Sequence, residues 1–148
     1  MFSLQCLCGA AGFLHLSRKE FRMKTLLCFN IIDEEKKKAL RLVSLRLGFN
    51  CREVPASLQG CTIADLLTGG APQTPLFSKP FAEEMLVMSG LSGSELNMLL
   101  DGLRQNRQRV RLKAMITETN RSWTALRLCR ELLEEERAFL KLRQNTQH

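Results

Sequence analysis

Chemistry in this chain would have to come from a short list of side chains. There are six cysteines, Cys6, Cys8, Cys28, Cys51, Cys61 and Cys129, and only two histidines, His15 and His148. Cys28 sits in an apolar run and Cys129 among the leucines of a helical pattern, so both read as buried, reduced thiols. The Cys6-x-Cys8 spacing is too tight for a zinc knuckle, and no second pair follows it. With both histidines in peripheral segments, histidine triads, histidine general bases and histidine-rich metal sites are not expected. No catalytic residue, metal site or cofactor is assigned from the sequence. The cysteine usage suits a reducing, cytoplasmic setting.

Two stretches concentrate the polar chemistry. Arg104, Arg107, Arg109, Arg111 and Lys113 are five cations within ten positions and with no acid among them, a pattern able to contact phosphates. No aromatic residue lies between Phe81 and Trp123, so base-stacking platforms are missing there. Charges on a sheet edge also block edge-to-edge association, which explains the same cations without a ligand. The second stretch, TETNRSW (117–123), holds the only tryptophan of the chain. Thr117, Thr119, Asn120, Arg121 and Trp123 are its candidate binding residues, because helix N-termini attract anions and ligands of open α/β sheets bind beyond strand ends. A structural reading competes with it. With Thr124 as N-cap, Trp123 and Leu128 form a hydrophobic staple on the first turn of a helix.

Elements must carry these groups. KTLLCFNII (24–32) and EEMLVMSGL (83–91) are continuous apolar runs, as expected for strands buried on both faces. A shorter strand is expected over 50–54, ending at Pro55. RVRLKAMIT (109–117) alternates, with Val110, Leu112, Ala114 and Ile116 opposite Arg109, Arg111 and Lys113, which predicts an edge strand with one wet face. Helices are expected after Asp33, Thr62, Ser92 and Thr124, each a capping residue. Ser92-x-x-Glu95 is a full capping box, Gly48 is placed to end the first helix, and the last helix is expected over 125–142. SGLSGS (89–94) lacks a phosphate-loop spacing and reads as a turn plus that capping box.

LLCFNIIDEE and MLVMSGLSGS share a pattern, as do GCTIADLL and SWTALRLC. The expected fold is therefore α/β, a single domain of two βαβα units around one four-stranded, mostly parallel sheet in the order 2-1-3-4. A ferredoxin-like α+β sheet is the alternative. The domain is expected over 23–142 with a Pro/Gly-rich connector at 69–80, and 143–148 as a flexible tail.

Residues 1–22 start apolar, but their charges (Arg18, Lys19, Arg22) follow the apolar part, unlike a secretory signal. Arg18-Lys19-Glu20 can be encoded by purine-only codons two codons before Met23, as a ribosome-binding site would be. The expectation is that 1–22 is translated leader or a disordered N-terminus and that Met23 is the true start. Removing it takes the net charge from +7 to +5. No apolar run approaches the roughly 18 residues of a membrane span.

The stretch 83–137 resembles an uncharacterised bacterial family catalogued as a domain of unknown function, number 3783. The residues that carry the resemblance are Lys113, Ala114, Thr117, Thr119, Asn120, Trp123 and Thr124, leading into an acidic helix. The resemblance is weaker over 23–70. It implies a small cytoplasmic bacterial protein and implies no activity. The combined expectation is a non-catalytic binding or interaction module taking a protein partner or a small anionic ligand. The alternatives are a nucleic-acid-associated protein using 104–113, or an enzyme of unknown reaction.

Overall fold

A computed structural model of the chain describes residues 24–69 and 79–146. The leader 1–22 and most of the 69–80 connector lie outside those residues. The apolar runs form the central strands β1 (Thr25–Phe29) and β3 (Met85–Ser89), every residue of which is buried. The edges are β2 (Asn50–Val54) and β4 (Leu112–Met115). Four helices accompany them: α1 (Glu34–Leu47), α2 (Ile63–Thr68), α3 (Gly93–Gln105) and α4 (Ala125–Thr146). Strand-helix-strand-helix thus runs twice along the chain, and the sheet order is β2-β1-β3-β4.

Two of the three ladders, β1–β2 and β3–β4, are parallel, and the central β1–β3 ladder is antiparallel. The sheet is therefore mixed, with each parallel pair made by one strand-helix-strand crossover. The physical reason lies after β2. Helix α2 has six residues, about 9 Å, so it does not act as a full crossover back along the sheet. The chain is instead fastened at the carboxyl end of β1. Asn30 Nδ2 donates to the carbonyls of Phe81 (2.8 Å) and Glu83 (3.0 Å). Buried Gln59 accepts from the Phe81 N–H at 2.9 Å through Oε1. β3 therefore starts beside Phe29 and runs against β1.

Alternation along the strands splits the core in two. Leu27, Phe29, Met85, Val87, Leu112 and Ala114 face α2 and α4, where they meet Ile63, Leu66, Ala125, Leu128 and Cys129. Leu26, Cys28, Leu86, Met88 and Met115 face α1 and α3, against Leu40, Val43, Leu99 and Leu103. The central ladder is symmetric about the Leu27–Val87 pair, with Thr25 opposite Ser89 and Phe29 opposite Met85. The same relation recurs where α2 and α4 begin. Thr62 and Thr124 form an antiparallel bridge, the Ile63 N–H donates to the Trp123 carbonyl (2.9 Å), and the Ala125 N–H donates to that of Cys61 (3.2 Å).

The capping residues act as their types dictate. Asp33, Thr62, Ser92 and Thr124 each accept a backbone N–H of the first turn of their helix, and Ser92 with Glu95 completes the capping box. Gly48 ends α1 in the left-handed conformation (φ 78°). The strand-to-cap turn is one residue longer in the first half, Asn30-Ile31-Ile32 against Gly90-Leu91, so Asn30 matches Gly90 and both have positive φ. Ile32, the extra residue, is exposed.

The fourth strand corrects the alternation read from 109–117. β4 is only four residues, and Arg111 sits in a bend before it. The bend turns Val110 into the α1/α3 core while Leu112 enters the other, and Met115 buries the face expected to be wet. Helix α4 continues four residues past the expected Leu142, with the Thr146 hydroxyl donating to the Leu142 and Arg143 carbonyls.

Candidate functional site

The segment that joins β4 to α4 spends its polar groups on itself. Asn120 Oδ1 accepts the Thr117 N–H (2.8 Å), Thr117 Oγ1 accepts the Asn120 N–H (3.1 Å), and Asn120 Nδ2 donates to the Met115 carbonyl (3.0 Å). A 3-10 turn over Asn120–Ser122 follows, closed by the Trp123 N–H on the Asn120 carbonyl. Thr119 is exposed and Arg121 half-buried beside it. Trp123 packs its half-buried ring on the core that contains Leu128, and the Arg127 guanidinium stacks on the ring 4.3 Å from its centre. Thr117, Asn120 and Trp123 are thus brought together as a turn that launches α4.

Three of the five cations at 104–113 have partners within the domain. Arg104 pairs with Asp101 on α3, and Arg111 makes a bidentate contact with Glu136 of α4 (2.7 and 3.2 Å). Lys113 is half-buried and donates to the Val110 carbonyl at 2.8 Å. Burial, with Arg109 as a second influence, pushes its pKa down. Arg107, at φ 57°, and Arg109 are exposed and make no ion pair among the described residues.

Three features lay outside the sequence reading. The first is the polar fastening of Asn30, Gln59 and Phe81, whose signal was an asparagine in the left-handed position where the second half has Gly90. The second is a pair of thiols on neighbouring strands, Cys28 Sγ and Cys51 Sγ, 3.6 Å apart. Near them a cavity of about 320 Å³ opens beyond the carboxyl ends of β1 and β2, lined by Cys28, Asn30, Ile31, Glu53, Val54 and Pro55. Spacing alone could not show the pair, since its members are 23 residues apart.

The third is the far end of α4. Ala125, Leu128 and Cys129 are buried and Leu132 and Leu133 partly so, but residues 137–146 are exposed. Phe139 and Leu140 lie seven residues beyond Leu132 and Leu133, and so continue the core-facing stripe past the edge of the domain. Phe139 is 60% exposed, Leu140 49% and Leu142 64%. Charge also divides over residues 131–143 of this helix: Glu131, Glu134, Glu135 and Glu136 precede Arg137, Lys141 and Arg143.

Among the described residues, no cluster of three or more His, Cys, Asp or Glu could hold a metal, and no helix is long and apolar enough to cross a membrane. No curated protein and no solved structure matches the chain. Residues 84–139 match a family model described as Domain of unknown function (DUF3783). They run from the residue before β3, through α3, β4 and the Trp123 turn, into the exposed end of α4, and over this stretch the chain is similar to the DUF3783 family.

Proposed function

We propose that this chain is a non-catalytic protein-interaction module of the bacterial cytoplasm, and that its binding element is the projecting end of α4, paired with the same helix of a second copy. The observation that carries the reading is the apolar stripe of Phe139 and Leu140, held in water on about 15 Å of helix beyond its last core contacts. The charge order chooses the partner. Two copies of α4 laid antiparallel and centred near Ala138 bring Lys141 of one opposite Glu135 of the other, twice over, around a two-fold axis. A parallel arrangement would set acid against acid and base against base.

The Trp123 turn supports this reading as the support of α4, since Asn120 and Thr117 fix the direction in which the helix leaves the sheet. A phosphate-binding role for Arg104, Arg107, Arg109, Arg111 and Lys113 has less support, because two are ion-paired and one is half-buried. A small anion at Thr119 and Arg121 also has less support than the exposed apolar helix.

Sedimentation equilibrium of the full-length protein over a range of concentrations is the test. The expected result is a monomer–dimer equilibrium that Phe139→Ser/Leu140→Ser shifts to monomer with an unchanged circular dichroism spectrum. A wild-type protein that stays monomeric at all concentrations would overturn the reading.

A further inference from the structure

We propose that Cys28 and Cys51 form a reversible dithiol–disulfide site, in which Cys51 reacts first with a small-molecule disulfide and Cys28 resolves the adduct. The two sulfurs are already 3.6 Å apart and share a hydrogen bond. Their surroundings differ in the way such a pair requires. Cys28 is 3% exposed on the central strand β1, whereas Cys51 is half-buried on the edge strand β2, where a reagent can arrive from the open side of the sheet. The buried Ser44 hydroxyl lies beside Cys51, and Arg41 and Glu53, which pair at 3.2 Å, are the charges that act on the pair.

The asymmetry sets the order of events. Hydrogen bonding to Cys28 favours the thiolate at Cys51 and lowers its pKa, aided by Ser44, while the same contact and burial raise that of Cys28. The Cys51 thiolate attacks one sulfur of RSSR, the S–S bond breaks, and RS⁻ leaves with the electron pair. Cys28 then gives up its proton, attacks the Cys51 sulfur of the mixed disulfide and expels the second RS⁻. Two protein thiols lose two electrons, RSSR gains them, and the two protons end on two RSH.

Register makes this a switch rather than a staple. Cys51 lies opposite Leu26 and Cys28 opposite Glu53, so the cysteines are diagonal neighbours. Parallel strands lie about 4.8 Å apart and rise about 3.3 Å per residue, so Cα atoms two residues out of register stand about 8 Å apart, and disulfides prefer roughly 5.5–6 Å. Closure requires the backbone of β2 to shift along β1, which an edge strand paired on one side allows, and leaves a strained bond that thiols readily reopen.

The test equilibrates the folded full-length protein with glutathione and glutathione disulfide at neutral pH, quenches with acid and maps tryptic peptides. The expected product joins peptide 25–36, with Cys28, to peptide 47–52, with Cys51, and excess reduced glutathione reopens it. Cys28→Ala and Cys28→Ser should each leave glutathione held on Cys51, with a native circular dichroism spectrum confirming the fold. The wild-type map is decisive by itself. Both thiols still free at ratios that oxidise the urea-unfolded chain, or linkage through other cysteines, overturns the proposal.

Discussion

Helix α3 packs Gly102 against Val43 of α1, and an added methyl there measures how the two helices pack. An ideal Cβ at Gly102 would lie 3.0 Å from both Cγ1 and Cγ2 of Val43 and 3.6 Å from its Cβ. Carbon atoms rest at about 3.5–4.0 Å, so each methyl would have to retreat by roughly half an ångström. Val43 is 3% exposed, among Leu40, Leu99 and Leu103, and has little room to do so. In a helix interior Gly→Ala alone gains about 1 kcal/mol, while overpacking a core costs about 1–3 kcal/mol. Gly102→Ala should therefore lower stability by roughly 0–2 kcal/mol despite the better helix former. Val43→Ala alone should cost about 1.5–3 kcal/mol through lost apolar burial. In the double variant the missing methyls make way for the new one, so the two effects should couple favourably by about 1–2 kcal/mol. Urea unfolding of the four proteins closes the cycle. A Gly102→Ala variant about 1 kcal/mol more stable than the parent, additive with Val43→Ala, would refute the close contact.

Other positions give independent checks. Asn30 combines a left-handed backbone (φ 59°) with two side-chain hydrogen bonds to the strand entry. Asn30→Gly should lose only the bonds, about 1–3 kcal/mol, and Asn30→Ala about 1 kcal/mol more through backbone strain; equal losses in urea unfolding would contradict this. Trp123→Ala should cost about 1–3 kcal/mol by removing core packing and the stacked Arg127, and unchanged thermal unfolding would speak against a structural tryptophan. The Lys24 ammonium, and next the Ser92 N–H, hold the Glu95 carboxyl below its usual pKa. A carboxyl depressed by folding stabilises above its unfolded pKa, about 4.3, and loses that contribution as pH falls through the folded value. Lys24→Met should therefore flatten the acid limb of the urea midpoint against pH, and an identical limb would exclude the pair.

Local signals carried most of the fold. The apolar runs 24–32 and 83–91 had to be buried on both faces, and that put them at the centre. Asp33, Thr62, Ser92 and Thr124 announced their helices because each cap acts within three residues along the chain. Long-range facts were not legible. The antiparallel centre depends on Asn30 and Gln59 holding Phe81, contacts of 51 and 22 residues in separation. The bend at Arg111 broke an alternation that looked regular in sequence, with Val110 in the α1/α3 core and Leu112 in the other. Of the candidate site residues, Thr117, Asn120 and Trp123 do converge in space, but as hydrogen-bonded parts of one turn. The Cys28–Cys51 pair needed the strand register, and the overhanging end of α4 needed to be seen against the edge of the sheet.

Charge reversal tests the proposed pairing of two α4 helices most directly. Glu135→Lys sets lysine against Lys141 of the other copy, and Lys141→Glu sets glutamate against Glu135. Each exposed ion pair is worth up to about 1 kcal/mol, and two occur per dimer, so each variant should dissociate about 5–30-fold more readily in sedimentation. Mixing the two variants, or combining both changes in one chain, should restore wild-type association. Weakened single variants that stay weak when mixed, or association indifferent to all of these charges, would contradict an antiparallel self-pairing of α4.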